Sequence, residues 1–204
     1  AGEDYSTIQR IAATGGYVPD DFADRFELTV RTADLTALLG VKMLAAHVGF
    51  VPHARSDSKH KVMVERVQQV ADALAQRGLT LVMETGQEPA NVLIEFMDDV
   101  ARPNVRVNFD AANMVLYGAG EPVEAVDLLR DRIAHCHMKD ATWSSQPGKT
   151  WGQEVPLGDG DADIPRVVSK LRAVGYQGPL VIEREAGNNR LGDIRYGAEM
   201  LESL

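Results

Sequence analysis

Short apolar runs alternate with longer amphipathic stretches along the chain, the pattern left by strands that feed helices. Strand-like runs fall at Val41–Val48, Leu79–Glu84, Val105–Asp110, Ile133–Met138 and Pro179–Glu183. Helical periodicity occupies about 20–39, 57–77, 89–101, 121–131, 163–174 and 191–203. Gly40, Gly78 and Gly175 stand just past three of these stretches, where the left-handed end of a helix favours glycine. Asp163 and Pro165 carry the chemistry of a helix start. Alternation of this kind builds a parallel sheet through right-handed crossovers. With no linker, low-complexity segment or repeat, residues 1–204 read as one α/β domain.

Alternate residues of the strands share a code. Thr80, Val82 and Glu84 oppose Leu79, Leu81 and Met83; Arg106, Asn108 and Asp110 oppose Val105, Val107 and Phe109; Ile133, His135, His137 and Lys139 oppose Ala134, Cys136 and Met138. In the last run Val181 and Glu183 oppose Leu180 and Ile182. One face suits packing beneath a helix, and the other ends in an ionisable group at the strand's carboxyl end. A doubly wound open sheet needs apolar residues on both faces, whereas a barrel has a polar mouth where its βα loops build the site. The expectation is therefore a TIM (β/α)8 barrel. A complete one takes about 250 residues, and five strands in 204 residues are expected to be its last five βα units, lacking the first three strands. A small five-stranded α/β domain is the alternative, with its sheet edges left open.

Composition narrows the function. Thirty acidic against 21 basic residues give −9, the wrong sign for a protein that tracks a nucleic-acid backbone. No apolar run approaches the roughly 18 residues of a membrane span, and no signal peptide opens the chain. A single cysteine, Cys136, excludes an internal disulfide framework and fits a reducing compartment. The expectation is a cytoplasmic protein that handles a small molecule, without nucleic-acid or membrane partners.

The candidate chemistry lies at four strand ends: Glu84, Asp110, His137 and Glu183. Their separations are 26, 27 and 46 residues (110 − 84, 137 − 110, 183 − 137), the first two matching one βα unit each. Three carboxylates and an imidazole converging on one axis repel one another unless a cation joins them. An oxygen-rich set with open positions suits one divalent ion, Mn²⁺ first, with Mg²⁺, Co²⁺ and Zn²⁺ as alternatives. Acidic residues also sit at strand ends simply because loops are solvated, but four in phase weigh against that.

The segments Met83-Glu84-Thr85-Gly86, Asn108-Phe109-Asp110-Ala111-Ala112-Asn113, His135-Cys136-His137-Met138-Lys139-Asp140 and Val181-Ile182-Glu183-Arg184-Glu185 resemble the xylose-isomerase-like TIM-barrel superfamily, its sugar phosphate isomerase/epimerase members and ketose 3-epimerases in particular. The resemblance runs from about Val41 to the C-terminus. It implies that Glu84, Asp110, His137 and Glu183 hold the metal and that Glu84 and Glu183 are the catalytic acid/base pair. The implied reaction isomerises or epimerises a carbohydrate or sugar phosphate through an enediolate. Family members often form homo-oligomers. Asn113 stands where the epimerases carry His, and Trp143 where they carry a substrate-binding Arg. The alternatives are a metal-dependent lyase or dehydratase acting on a keto-sugar or polyol, and a barrel that binds carbohydrate without turning it over.

Other residues offer substrate contacts, each with a plainer reading. His47 points into the expected mouth, to meet substrate or to hydrogen-bond a ligand, or else is a rim residue. Asn113 can bond a sugar hydroxyl. Lys139 can hold an anionic or carbonyl oxygen, or pair with a neighbouring carboxylate. Residues 141–163 read as a long loop in which Trp143 and Trp151 stack on a sugar or anchor the loop, and Lys149 reaches an anion. Arg190, before the last helix, suits a phosphate or lies on the surface. His135 is expected one layer below His137. Glu185 is expected to partner Arg184 at the rim. His53 and His60 carry no assignment.

Overall fold

The structure is a computed structural model that describes residues 3–204. Its contacts gather the described residues into two compact units, 3–84 with 91–107 and 85–90 with 108–204.

The first unit contains α1 (Ile8–Thr14), α2 (Phe22–Leu38), β1 (Met43–Ala46), α3 (Ser58–Ala75), β2 (Thr80–Glu84) and most of α4 (Ala90–Val100). β1 and β2 are parallel, with Met43 opposite Thr80 and Ala46 opposite Met83. α3 starts where Asp57 accepts the Lys59 N–H. It buries Met63, Val67, Val70, Ala71 and Leu74, an i, i+4, i+7, i+8, i+11 stripe that packs against β2. Each of the larger side chains contributes roughly 1.5–3 kcal/mol by leaving water.

The second unit takes residues 85–90 and then, from within β3 (Val105–Asp110), α5 (Ala111–Tyr117), α6 (Pro122–Leu129), β4 (Ile133–Met138), β5 (Asp140–Thr142), β6 (Gln153–Val155), α7 (Ile164–Ala173), β7 (Leu180–Ile182) and α8 (Arg190–Ser203). β4 and β7 are parallel, with His137 opposite Val181. The sheet order is β1-β2-β3-β4-β7, and β5 pairs with β6 as a separate antiparallel ribbon.

All five expected strands form, β3 and β4 with the expected ends; the others are trimmed by one to four residues. The six expected helices also form. Three elements differ from expectation. Ala111–Tyr117 is a helix, because Asp110 ends β3 and caps α5 at once, its Oδ1 accepting the Asn113 N–H. Ile8–Thr14 is a short helix capped by Thr7. The region read as a continuous loop contains the β5–β6 ribbon, whose strands are three residues each and too short for a periodic signal.

Candidate metal and catalytic site

Asp110, His137 and Glu183 come together within the second unit, with one ligand atom from each lying within 4.8 Å of the others. β3 delivers Asp110, and the residue itself divides its work. Oδ1 caps α5, while Oδ2 faces the Lys139 ammonium at 3.0 Å and His137 Nδ1 at 3.9 Å. The Thr85 hydroxyl fixes the Asp110 backbone by donating to its carbonyl (2.9 Å) and accepting its N–H (2.8 Å). The Thr85 N–H in turn bonds the Asn108 carbonyl at 3.0 Å. Gly86 has φ +128, and a Cβ there would collide with Asn113. That close approach packs the turn at Gly86 against α5.

His137 Nδ1 lies 3.3 Å from Glu183 Oε2. One layer below, His135 meets it edge to face with centroids 5.3 Å apart, and Asn108 Oδ1 lies 2.8 Å from His135 Nδ1. Lys139 is 2% exposed and reaches Glu183 at 2.7 Å and Glu185 at 3.4 Å in addition to Asp110. Burial alone would push the ammonium down. The Asp110 charge, then Glu183 and Glu185, outweigh it and hold the ammonium above its usual range. The His137 hydrogen bond, and after it Lys139, pull the Glu183 carboxyl down to about 2 against the opposing effect of burial.

Glu84 closes β2 in the first unit, where His47 Nε2 lies 3.5 Å from its Oε2. The β1–β2 register carries forward to make His47 and Glu84 neighbours. His47 Nδ1 is buried without a hydrogen-bond partner among the described residues. Asn113 is buried, one turn into α5.

The outlying candidates fall elsewhere. Trp143 donates its backbone N–H to Asp161. Trp151 lies edge-on to the buried Tyr117 ring (4.7 Å), and the Gly152 N–H bonds the Leu116 carbonyl at 3.0 Å, the geometry of an anchor. Arg190 is exposed, with its Nε 3.4 Å from the Gly187 carbonyl. Arg184 does not pair with Glu185. It pairs with Glu154 at 2.7 Å and Asp193 at 2.8 Å, while Glu185 turns to Lys139. Sequence reasoning missed Glu154 and Asp140, whose roles depend on the unexpected ribbon.

A parallel α/β sheet carrying carboxylates and an imidazole at the carboxyl ends of its strands defines an α/β protein with a group able to bind a metal. The family model described as xylose isomerase-like TIM barrel matches residues 13–204, and the chain belongs to that family. The crystal structure of a xylose isomerase domain protein from Planctomyces limnophilus superposes with a TM-score of 0.93 at 38% identity, covering 99% of this chain and 72% of that one. The L-ribulose 3-epimerase of Methylomonas sp. (strain DH-1) is 24% identical over 168 residues, 77% of this chain and 54% of its own. An inosose dehydratase of Geobacillus thermodenitrificans (strain NG80-2) is 23% identical over 145 residues, 64% of this chain and 48% of its own. The chain thus spans about half the length of these curated relatives. Among the described residues no helix is long and apolar enough to cross a membrane.

Proposed function

We propose that the protein is a metal-dependent isomerase or epimerase of a sugar or sugar phosphate, working through an enediolate. The observation that carries this reading is the convergence of Asp110, His137 and Glu183. Carboxylate oxygens with one imidazole fit a hard divalent ion, Mn²⁺ first, then Mg²⁺, Co²⁺ or Zn²⁺. Glu84 is the fourth ligand in this reading. One peptide bond joins it to Thr85, whose hydroxyl is hydrogen-bonded to the Asp110 backbone. When bound, the cation supplies positive charge that polarises a substrate carbonyl and favours the enediolate.

The remaining chemistry belongs to side chains. Glu183 takes the proton α to the carbonyl, and Glu84 returns one to the opposite face. A carboxyl held near 2 is a weak base. A substrate oxygen that draws the Lys139 ammonium away from Glu183 raises that basicity, so substrate binding and base activation are coupled. Lys139 holds the developing oxyanion, Asn113 bonds a hydroxyl, and His47 offers the second ring nitrogen. Loss of water from a keto-polyol is a second reading. It begins with the same proton abstraction and is favoured by the match to inosose dehydratase.

Metal content by mass spectrometry is the test, with Asp110→Ala and His137→Ala beside the wild type. About one ion per chain, lost in both variants, is expected of a single site. Incorporation of solvent deuterium into a converted sugar would then establish the proton transfer. No metal under any loading condition sinks the reading.

A further inference from the structure

Residues 183–189 form no helix or strand, yet Glu183 must be held steadily to serve as ligand and base. We infer that Glu154 and Arg184 are positioning residues that fix the turn bearing Glu183. The inference rests on the role proposed above for Glu183. Glu154 and Arg184 side chains are each only 8% exposed. Glu154 Oε1 accepts from Arg184 Nη1 (2.7 Å), the Glu185 N–H (2.9 Å) and the Ala186 N–H (3.2 Å), and Oε2 lies 3.3 Å from the same Ala186 nitrogen. All of these bonds go to the three residues that directly follow Glu183.

Arg184 completes the device. Its Nε donates to Asp193 Oδ2 on α8 at 2.8 Å, so the guanidinium ties the turn to the last helix as well as to β6. Gly187 has φ +80, and a Cβ there would lie 2.6 Å from Arg184 Nη2; glycine is what lets the chain close over the guanidinium. Glu154 is itself placed by the ribbon, opposite Ala141 in the β5–β6 register. That ribbon begins one residue after Lys139, so β5, which follows directly on the strand that delivers His137, pairs with the strand carrying the carboxylate that holds the turn after Glu183. A carboxylate accepting several N–H bonds is held rigidly, and groups that orient metal ligands set metal affinity.

The plainer reading is an ion pair that steadies the fold without touching the site. Mn²⁺ titration of the full chain by calorimetry, beside thermal melts, separates the two. In Glu154→Ala the Kd for Mn²⁺ is expected to weaken about 10-fold, the effect typical of losing an orienting partner. Exchange of the Glu185 and Ala186 amides should accelerate with it. Glu154→Gln keeps an oxygen acceptor of the same reach and should recover most of the affinity. Should Glu154→Ala fail to fold, Arg184→Lys, which cannot span both Glu154 and Asp193, is expected to weaken Mn²⁺ binding in the same direction. A lowered Tm in these variants with Mn²⁺ affinity equal to wild type overturns the inference and leaves the metal site standing. Wild-type protein that takes up none of Mn²⁺, Mg²⁺, Co²⁺ and Zn²⁺ overturns the metal reading, and this inference with it.

Discussion

Lys139 places a buried positive charge among the groups that would bind a cation. Its ammonium sits 3.0 Å from Asp110, whose side chain is fully buried, and 2.7 Å from Glu183. Lys139→Met removes one member of a buried ion pair, which typically costs about 3–5 kcal/mol because the other charge stays behind. The metal-free variant should therefore melt well below wild type. Saturating Mn²⁺ should raise its Tm more than that of wild type, since no ammonium then opposes the incoming ion. Equal shifts in the two proteins would show that Lys139 and the metal occupy separate places. Glu183 gives a second prediction. Its folded carboxyl lies near 2, below the ordinary 4.5, so its contribution to stability is complete above about pH 4.5 and is lost as pH falls toward 2. Unfolding free energies of metal-free wild type and Glu183→Gln from urea titration should differ by about 2 kcal/mol at neutral pH, partly screened because the side chain is 29% exposed, and should converge through that acidic window. At this scale the sequence was most legible where period-2 alternation set the answer: Asp110, His137 and Glu183 stand at strand ends on one parity. Partner choice was not legible. Arg184 and Glu185 are adjacent and point apart, and the acids that hold Arg184 come from 30 residues upstream and nine downstream (184 − 154, 193 − 184). His60, to which the sequence assigned nothing, is buried between the Pro52 carbonyl (3.1 Å) and Asp99 (2.9 Å).

At the scale of elements, the turn that follows the β5–β6 ribbon is held to the ribbon's first residue by one carboxylate. Asp140 is 1% exposed and accepts from the N–H groups of Ala141 (2.8 Å), Gly158 (3.0 Å), Gly160 (3.0 Å) and Ala162 (3.2 Å). Burial pushes its carboxyl up, while those four bonds pull the other way. A Cβ on Gly160 would strike the carboxylate, so this turn has been shaped around it. Asp140→Ala leaves the two buried donors, of Ala141 and Ala162, and the two part-buried ones, of Gly158 and Gly160, without this partner, at about 1–3 kcal/mol for each one that water cannot reach. Faster hydrogen exchange confined to residues 158–162, with a lowered Tm, is the expected outcome; Asp140→Asn, keeping one acceptor oxygen, should fall between. Unchanged exchange there would mean the ribbon is held by its backbone pairing alone. Such an element escapes a periodicity reading because its strands are three residues long and its order comes from a side chain at its base. α5 escaped for another reason, since no punctuation separates it from β3. By contrast α3, with five apolar positions on one stripe, and β3, alternating over six residues, were readable because their packing repeats along the chain.

Across the whole molecule, the sheet order leaves β1 and β7 as edge strands. Leu35, Leu38 and Leu39 are 54%, 83% and 68% exposed in the first unit, and Val181 and Leu191 are 41% and 65% exposed in the second. Leu35, Leu38 and Leu39 lie at the end of α2, and Val181 lies within the edge strand β7 itself. An exposed, apolar strand edge is a template for pairing with another chain. The matched Planctomyces protein carries a further 28% of its length outside the superposed part (100 − 72). The 204-residue chain produced by itself is therefore expected to self-associate and to bind the dye ANS strongly. The same chain extended by that relative's residues outside the superposed part should be monodisperse in light scattering, with little dye bound. The size of the effect follows from area. Covering several leucine and valine side chains contributes roughly 1.5–3 kcal/mol each, comparable in sum with the whole stability of an ordinary domain. A monodisperse, dye-silent 204-residue monomer would show instead that a five-stranded sheet with open edges is self-sufficient here, and the expectation of a closed barrel for this chain would fall.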